Sequence, residues 1–193
     1  MATQLEVQNW LDWLIREPWL DCPNDRVQQK AQDIRLAIFD VDGVLTQGHL
    51  YLGDDGQEYK AFYARDGLGI NLLQTWGIPV GIITGRSSPT VTLRMRSLGI
   101  THVFQGQLDK YQAFKQLCQQ FPIIPQQVAY MGDDLNDLSV MAEVGLSAAV
   151  GDAHPLVISR ADWQSRFPGG CGAVREFCEL LIRTQHQLRL GKI

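Results

Sequence analysis

Cysteine is scarce in this chain and never closely paired. Cys22, Cys118, Cys171 and Cys178 form no CxxC unit and show no zinc-ligand spacing. Reduced structural thiols of a cytosolic protein are therefore expected. The N-terminus lacks a basic stretch followed by an apolar core, so no secretory signal is expected. No apolar run approaches the ~20 residues that a membrane span needs, and the expected location is cytoplasmic. Positive charge is not in excess either. The formal net charge is −4, which argues against nucleic acid or an anionic membrane as a partner. An anionic substrate would have to be met by locally placed cations. Internal repeats and low-complexity tracts are absent. What is present suits one soluble domain: 193 residues, 45% hydrophobic and 20% charged, are enough to bury a sizeable core.

Residues 1–33 read as a helical arm. Val7, Trp10, Leu11, Leu14 and Ile15 fall at helical spacing, Pro18 ends the pattern, and a turn at Pro23-Asn24-Asp25 precedes a second short helix over 26–33. Trp10, Trp13 and Trp19 could dock on the domain or on a neighbour. From residue 34 onward strands and helices alternate. Strands are expected over 36–40, 79–84, 103–104, 128–132 and 146–150. Helices are expected over 66–74, 89–98, 110–121, 137–144 and 172–187. This alternation predicts an α/β domain over 34–193, a doubly wound, Rossmann-like parallel sheet with helices on both faces. Residues 46–62 differ: His49 to Leu52, then Gly53-Asp54-Asp55-Gly56, then Gln57 to Phe62 read as a β-hairpin inserted after the first strand. A lone hairpin is marginal in water, so it should pack on its own domain or on another subunit.

Four short elements carry the chemistry. Asp40-Val41-Asp42-Gly43 places two carboxylates at the end of an apolar strand, where they cost stability unless something pairs with them. Ile82-Ile83-Thr84-Gly85-Arg86 delivers a hydroxyl and a guanidinium. Lys110 opens a helix. Gly132-Asp133-Asp134-Leu135-Asn136-Asp137 clusters acids directly after a strand. Asp40, Thr84, Lys110 and Asp133 all fall at or just past expected strand ends, where such sheets bind ligands. Singly each element has an ordinary alternative: Thr84 a turn residue, Lys110 a solvated helix start, the acids a helix N-cap cluster. Jointly and in this order they suit phosphoryl transfer. One carboxylate attacks, the other donates a proton, two acids suit hard octahedral Mg²⁺, and Thr and Lys hold the remaining phosphoryl oxygens.

In these four motifs the chain resembles the haloacid dehalogenase superfamily of aspartyl-phosphate phosphohydrolases, over residues 34–187. The resemblance implies Asp40 as nucleophile and Asp42 as general acid/base, with Thr84 and Lys110 on the phosphoryl group. It also implies Mg²⁺ held by Asp40, the backbone carbonyl of Asp42, and Asp133, with Asp134 and Asp137 as support. Only 43 residues separate Asp40 from Thr84 and 25 separate Thr84 from Lys110, so neither gap can house a cap domain. The fuller segments DVDGVLTQGHLYLGDDGQEYKAFYARDGLGI, IITGR, THVFQGQLDK and VAYMGDDLNDLSVM are similar to the capless 3-deoxy-D-manno-octulosonate 8-phosphate phosphatase family.

That likeness implies a small sugar-acid phosphate as substrate, a place in lipopolysaccharide precursor synthesis, and a homotetramer whose hairpins pack together. Neighbouring subunits, including a C-terminal tail over 168–193, would help close each site. Arg65, Gly85 and Arg86 are candidate substrate contacts, with surface ion pairs as the plain alternative for the two arginines. The tail at Pro168-Gly169-Gly170-Cys171-Gly172 is flexible by composition. Cys171 stands where family members often carry a basic residue, and Arg175 is a candidate substitute. The alternatives are a phosphatase for another sugar-acid phosphate such as an N-acylneuraminate 9-phosphate, a receiver-like phospho-acceptor, and a non-catalytic oligomerisation module.

Overall fold

The computed structural model describes residues 4–16 and 23–191. Six parallel strands form one sheet. They are β1 (Leu36–Phe39), β4 (Val80–Ile83), β5 (His102–Phe104), β6 (Val128–Gly132), β7 (Leu146–Ala149) and β8 (Trp163–Gln164), in the order β5-β4-β1-β6-β7-β8. The four central strands are buried throughout, so each reads as an unbroken apolar run rather than an alternating one. Strand β1 lies mid-sheet and pairs Phe39 with Ile82 on one side and with Met131 on the other. The strand ends carrying Asp40, Thr84 and Asp133 therefore lie side by side.

Helix α3 (Ala64–Trp76) packs along α8 (Ala173–Arg189), and α1 (Gln4–Arg16) lies on both. Helix α2 (Asp25–Gln32) packs on α8 and β7. Helix α5 (Lys110–Cys118) meets β4 and α6 (Leu138–Met141), and α6 also meets β6, β7 and α7 (Pro155–Arg160). Helix α4 (Pro89–Ser97) joins β4 to β5 and buries Val91 and Met95. Phe177 of α8 stacks on Trp163 (centroids 5.5 Å apart) and meets Phe39 edge-on at 6.3 Å. Val7 and Leu11 of the arm join the core, Trp10 is half-buried and Trp13 is 67% exposed; Trp19 and Cys22 lie outside the described residues.

The structure departs from the sequence expectations in four places. The helix expected over 137–144 is a 3-10 turn (Leu135–Asp137) followed by the short α6, because Asp137 turns its side chain back onto Asp133 N and Asp134 N. Helix α7 and strand β8 were not expected, since six-residue and two-residue elements carry no readable period. The hairpin is shorter than its sequence pattern, with only β2 (Tyr51–Leu52) and β3 (Glu58–Tyr59) paired.

The glycine-rich stretch before α8 is held rather than loose. Gly169 N donates to Asp152 Oδ1 (2.9 Å) and Gly170 N to Val44 O (2.8 Å). A Cβ on Gly169 would lie 1.7 Å from Gly43 O, so only glycine permits this backbone contact. Between β1 and β4 stand only the hairpin and α3, and between β4 and β5 only α4; among the described residues no cap domain covers the sheet.

Candidate active site

The turn after β1 is tightly built. Val41 O accepts from the backbone N–H groups of Val44, Leu45 and Thr46, and the Thr46 hydroxyl accepts from Gly43 N and Gly48 N. Gly43 has φ +91°, and a Cβ there would fall 2.1 Å from Asp133 Oδ2. The DxDG glycine is thus demanded twice, by backbone conformation and by the approach of the acid from β6. Asp40 N donates to Met131 O at 3.1 Å, fixing the first carboxylate beside β6. Thr84 is buried at the end of β4, its N–H bonded to Phe104 O (2.9 Å). Asp109 caps α5 by accepting from Tyr111 N and Gln112 N, which turns Lys110 inward.

Lys110 is 1% exposed. Its Nζ lies 2.9 Å from Asp40 Oδ2 and 2.6 Å from Asp137 Oδ1. Asp137 is saturated: Oδ1 also accepts from the buried Tyr130 hydroxyl (2.6 Å), and Oδ2 from Asp133 N (2.9 Å) and Asp134 N (3.1 Å). Carboxylate oxygens of Asp40, Asp133 and Asp137 lie within 4.8 Å of one another. Burial pushes the Asp40 carboxyl up to about 6, with Asp137 adding to the rise and Lys110 opposing it. Asp133 goes up to about 8 through burial and the charges of Asp40 and Asp137. Burial would lower Lys110, but Asp40 and Asp137 outweigh it and the ammonium titrates above its usual range.

These residues fit a divalent cation. Fully ionised, the three carboxylates against one ammonium leave two uncompensated negative charges, which the double positive charge of one Mg²⁺ matches. Asp40 Oδ1 is buried without a hydrogen-bond partner among the described residues, and a buried orphan acceptor is costly unless something else meets it. An all-oxygen donor set suits a hard ion.

Asp42 belongs to a second set. Its Oδ1 accepts from Lys60 Nζ. Lys60 Nζ also lies 2.8 Å from Glu58 Oε1, and Glu58 Oε2 lies 2.5 Å from Arg86 Nη2. Lys60 and Glu58 escaped the sequence reading. Their only signal was two charges at alternate positions of a hairpin strand, which ordinarily marks a solvated face. Tyr130 escaped too, as one hydroxyl on an apolar strand.

The other candidate residues are placed as follows. Gly85 borders Asn136, an added Cβ lying 4.0 Å from its Nδ2. Asp134 is exposed and caps the 3-10 turn by accepting from Leu135 N (2.8 Å). The Arg65 guanidinium is exposed, 5.9 Å from the Tyr63 ring centroid. Arg175 pairs with Glu179, and its α-carbon would lie 2.9 Å from a Cβ on Gly69. That ties it to the α3–α8 packing and not to the acid cluster. Cys171 Sγ accepts from Gln47 Nε2 (3.0 Å), just past the Asp42 turn.

A parallel sheet with two acids after the central strand, a buried lysine and an acidic turn on the next strand defines a haloacid dehalogenase-like phosphohydrolase. Residues 96–169 match the family model of haloacid dehalogenase-like hydrolases. The chain is 54% identical over 166 residues to the 3-deoxy-D-manno-octulosonate 8-phosphate phosphatase KdsC of Escherichia coli strain B, covering 86% of this chain and 88% of that one. The crystal structure of the 3-deoxy-D-manno-octulosonate 8-phosphate phosphatase of Yersinia pestis is 52% identical, with a TM-score of 0.83 over 86% of this chain and 89% of that one. The Moraxella catarrhalis phosphatase, solved with magnesium, phosphate and KDO, is 40% identical, with a TM-score of 0.83 over 88% of this chain and 97% of that one. The chain therefore belongs to the 3-deoxy-D-manno-octulosonate 8-phosphate phosphatase family.

Proposed function

We propose that this protein is a Mg²⁺-dependent phosphatase that hydrolyses 3-deoxy-D-manno-octulosonate 8-phosphate to the free sugar acid and phosphate. The observation that carries the reading is the buried Asp40 carboxylate, tied at Oδ2 by Lys110 and with Oδ1 free, inside a cluster short of two positive charges. Asp40 and Asp133, with the backbone carbonyl of Asp42, would hold Mg²⁺, and Asp137 and Asp134 support them. The ion would supply positive charge against the phosphoryl oxygens, so that a carboxylate can approach an anionic ester. The Asp40 carboxylate attacks phosphorus as the bond to the sugar oxygen breaks, and Asp42 gives that oxygen a proton. Asp42 then takes a proton from the water that cleaves the aspartyl-phosphate. This division of one displacement into two is covalent catalysis. Lys110 and Thr84 hold the phosphoryl oxygens, and Gly85, Arg86 and Arg65 line the approach. Arg175, held by Glu179, is the weakest of the candidate contacts.

We further propose residues 34–193 as the catalytic domain with 1–33 as an appended arm, and action in the cytoplasm in lipopolysaccharide precursor synthesis. Among the described residues no helix is long and apolar enough to cross a membrane. Leu50, Tyr51, Leu52 and Tyr59 are exposed on the hairpin, which supports its burial against other copies in a homotetramer.

The test is phosphate release from the octulosonate 8-phosphate with and without Mg²⁺, beside an N-acylneuraminate 9-phosphate and an aryl phosphate. A strong Mg²⁺-dependent preference for the eight-carbon ester is expected. Preference for the nine-carbon ester would overturn the substrate assignment.

A further inference from the structure

Lys60 is a lysine with almost no access to water. Its side chain is 1% exposed, and its ammonium is enclosed by Asp42 and Glu58. Burying an ammonium is expensive unless its partners are well placed, and a tether for an exposed hairpin needs no such burial. Lys60 reaches only one oxygen of Asp42, Oδ1. Glu58 Oε1 lies 2.8 Å from the same ammonium, while its second oxygen is tied to Arg86. The Asp42 carboxylate is therefore fixed by a chain of charges anchored on both β3 and the turn after β4.

We propose that Lys60 is the positioning residue for the acid/base Asp42: by gripping Oδ1 it sets the carboxyl so that Oδ2 faces the oxygen that leaves and the water that follows. The proposal rests on the phosphatase reading above. As the bond from phosphorus to the leaving oxygen breaks and the bond from Asp40 to phosphorus forms, the proton passes from Asp42 Oδ2 to that oxygen. Water later returns a proton to the same Oδ2. The grip on Oδ1 serves both halves.

A mispositioned acid hurts esters whose leaving group needs a proton and spares those whose leaving group does not. The experiment compares kcat/KM, which reports the first phosphoryl transfer, for wild type, Lys60→Met and Lys60→Arg. The substrates are the octulosonate 8-phosphate, phenyl phosphate and para-nitrophenyl phosphate. The two aryl esters share a shape and differ in leaving group, so sugar contacts cannot produce a difference between them. Lys60→Met is expected to lose roughly tenfold to a hundredfold on the sugar ester and on phenyl phosphate. On para-nitrophenyl phosphate the loss should stay below about threefold. Lys60→Arg should recover part of the phenyl phosphate loss.

Equal losses on both aryl esters, or no loss on either, would overturn the proposal. A Mg²⁺-dependent thermal shift confirms that each variant is folded with its metal site intact. Lys60→Gln reads the same ratio if the Met variant fails that check. Wild type inactive on all three esters would refute the phosphatase reading itself, which is a distinct outcome.

Discussion

The Tyr130 hydroxyl and the Lys110 ammonium share Oδ1 of Asp137, each at 2.6 Å, in a site closed to water. Tyr130→Phe removes one charge-assisted bond from a fully buried carboxylate and should cost about 2 kcal/mol, read as a lower urea midpoint at unchanged slope. Because Asp137 also orients Lys110, kcat should fall with little change in KM; a variant as stable and as fast as wild type would deny Tyr130 this role. Gly43→Ala tests the turn. With φ at +91° and Asp133 Oδ2 2.1 Å from the added methyl, the acid cluster cannot keep its shape. The variant should lose both the Mg²⁺-dependent thermal shift and activity. The positions of Asp40, Thr84, Lys110 and Asp133 were legible because each directly follows a recognisable strand or cap. Lys60, Glu58 and Tyr130 were not, because their partners lie 18 residues away, 28 residues away, or across one turn, and no local period marks such pairings.

Helix α2 is tied to the sheet by Asp162, which precedes β8. Its carboxylate accepts from Lys30 Nζ (2.5 Å) and from Ser147 N and Oγ (both 3.0 Å). Burial alone would raise this carboxyl, but the bonds from Lys30 and Ser147 outweigh it and hold it below the usual range. A carboxylate depressed in the folded state stabilises above its unfolded pKa of about 3.9 and loses that contribution as pH falls through the folded value. Asp162→Asn should therefore be less stable than wild type near neutrality, with the gap closing in acid; a gap constant with pH would contradict this. The alternation of elements was readable from hydrophobic period and helix caps. The extent of α6, the existence of α7 and β8, and the docking of Gly169 on Gly43 were not. These are decided by side chains turning back on the backbone and by backbone-to-backbone contacts, which leave no repeat in the sequence.

For the molecule as a whole, the acid cluster makes stability depend on metal and pH together. Without metal, Asp40 and Asp133 titrate at about 6 and about 8, above the roughly 3.9 of an unfolded Asp. The folded state then binds more protons than the unfolded one, so the metal-free protein should lose stability as pH rises from about 4 to about 8. Mg²⁺ should reverse this, and its stabilisation should grow over the same range. At a hundred times its dissociation constant the gain is about 2.7 kcal/mol, a rise of several degrees in Tm by thermal melting. A shift independent of pH would mean that the ion binds elsewhere. If Asp40 is the nucleophile, an amide in place of its carboxylate removes the attacking group. The most direct measurement is phosphate release from the octulosonate 8-phosphate in saturating Mg²⁺ by wild type and by Asp40→Asn, each first shown to be folded by its melting curve. Brisk release by the wild type and a loss of about a thousandfold or more in the variant are expected. A folded Asp40→Asn protein that releases phosphate at the wild-type rate would contradict that role for Asp40.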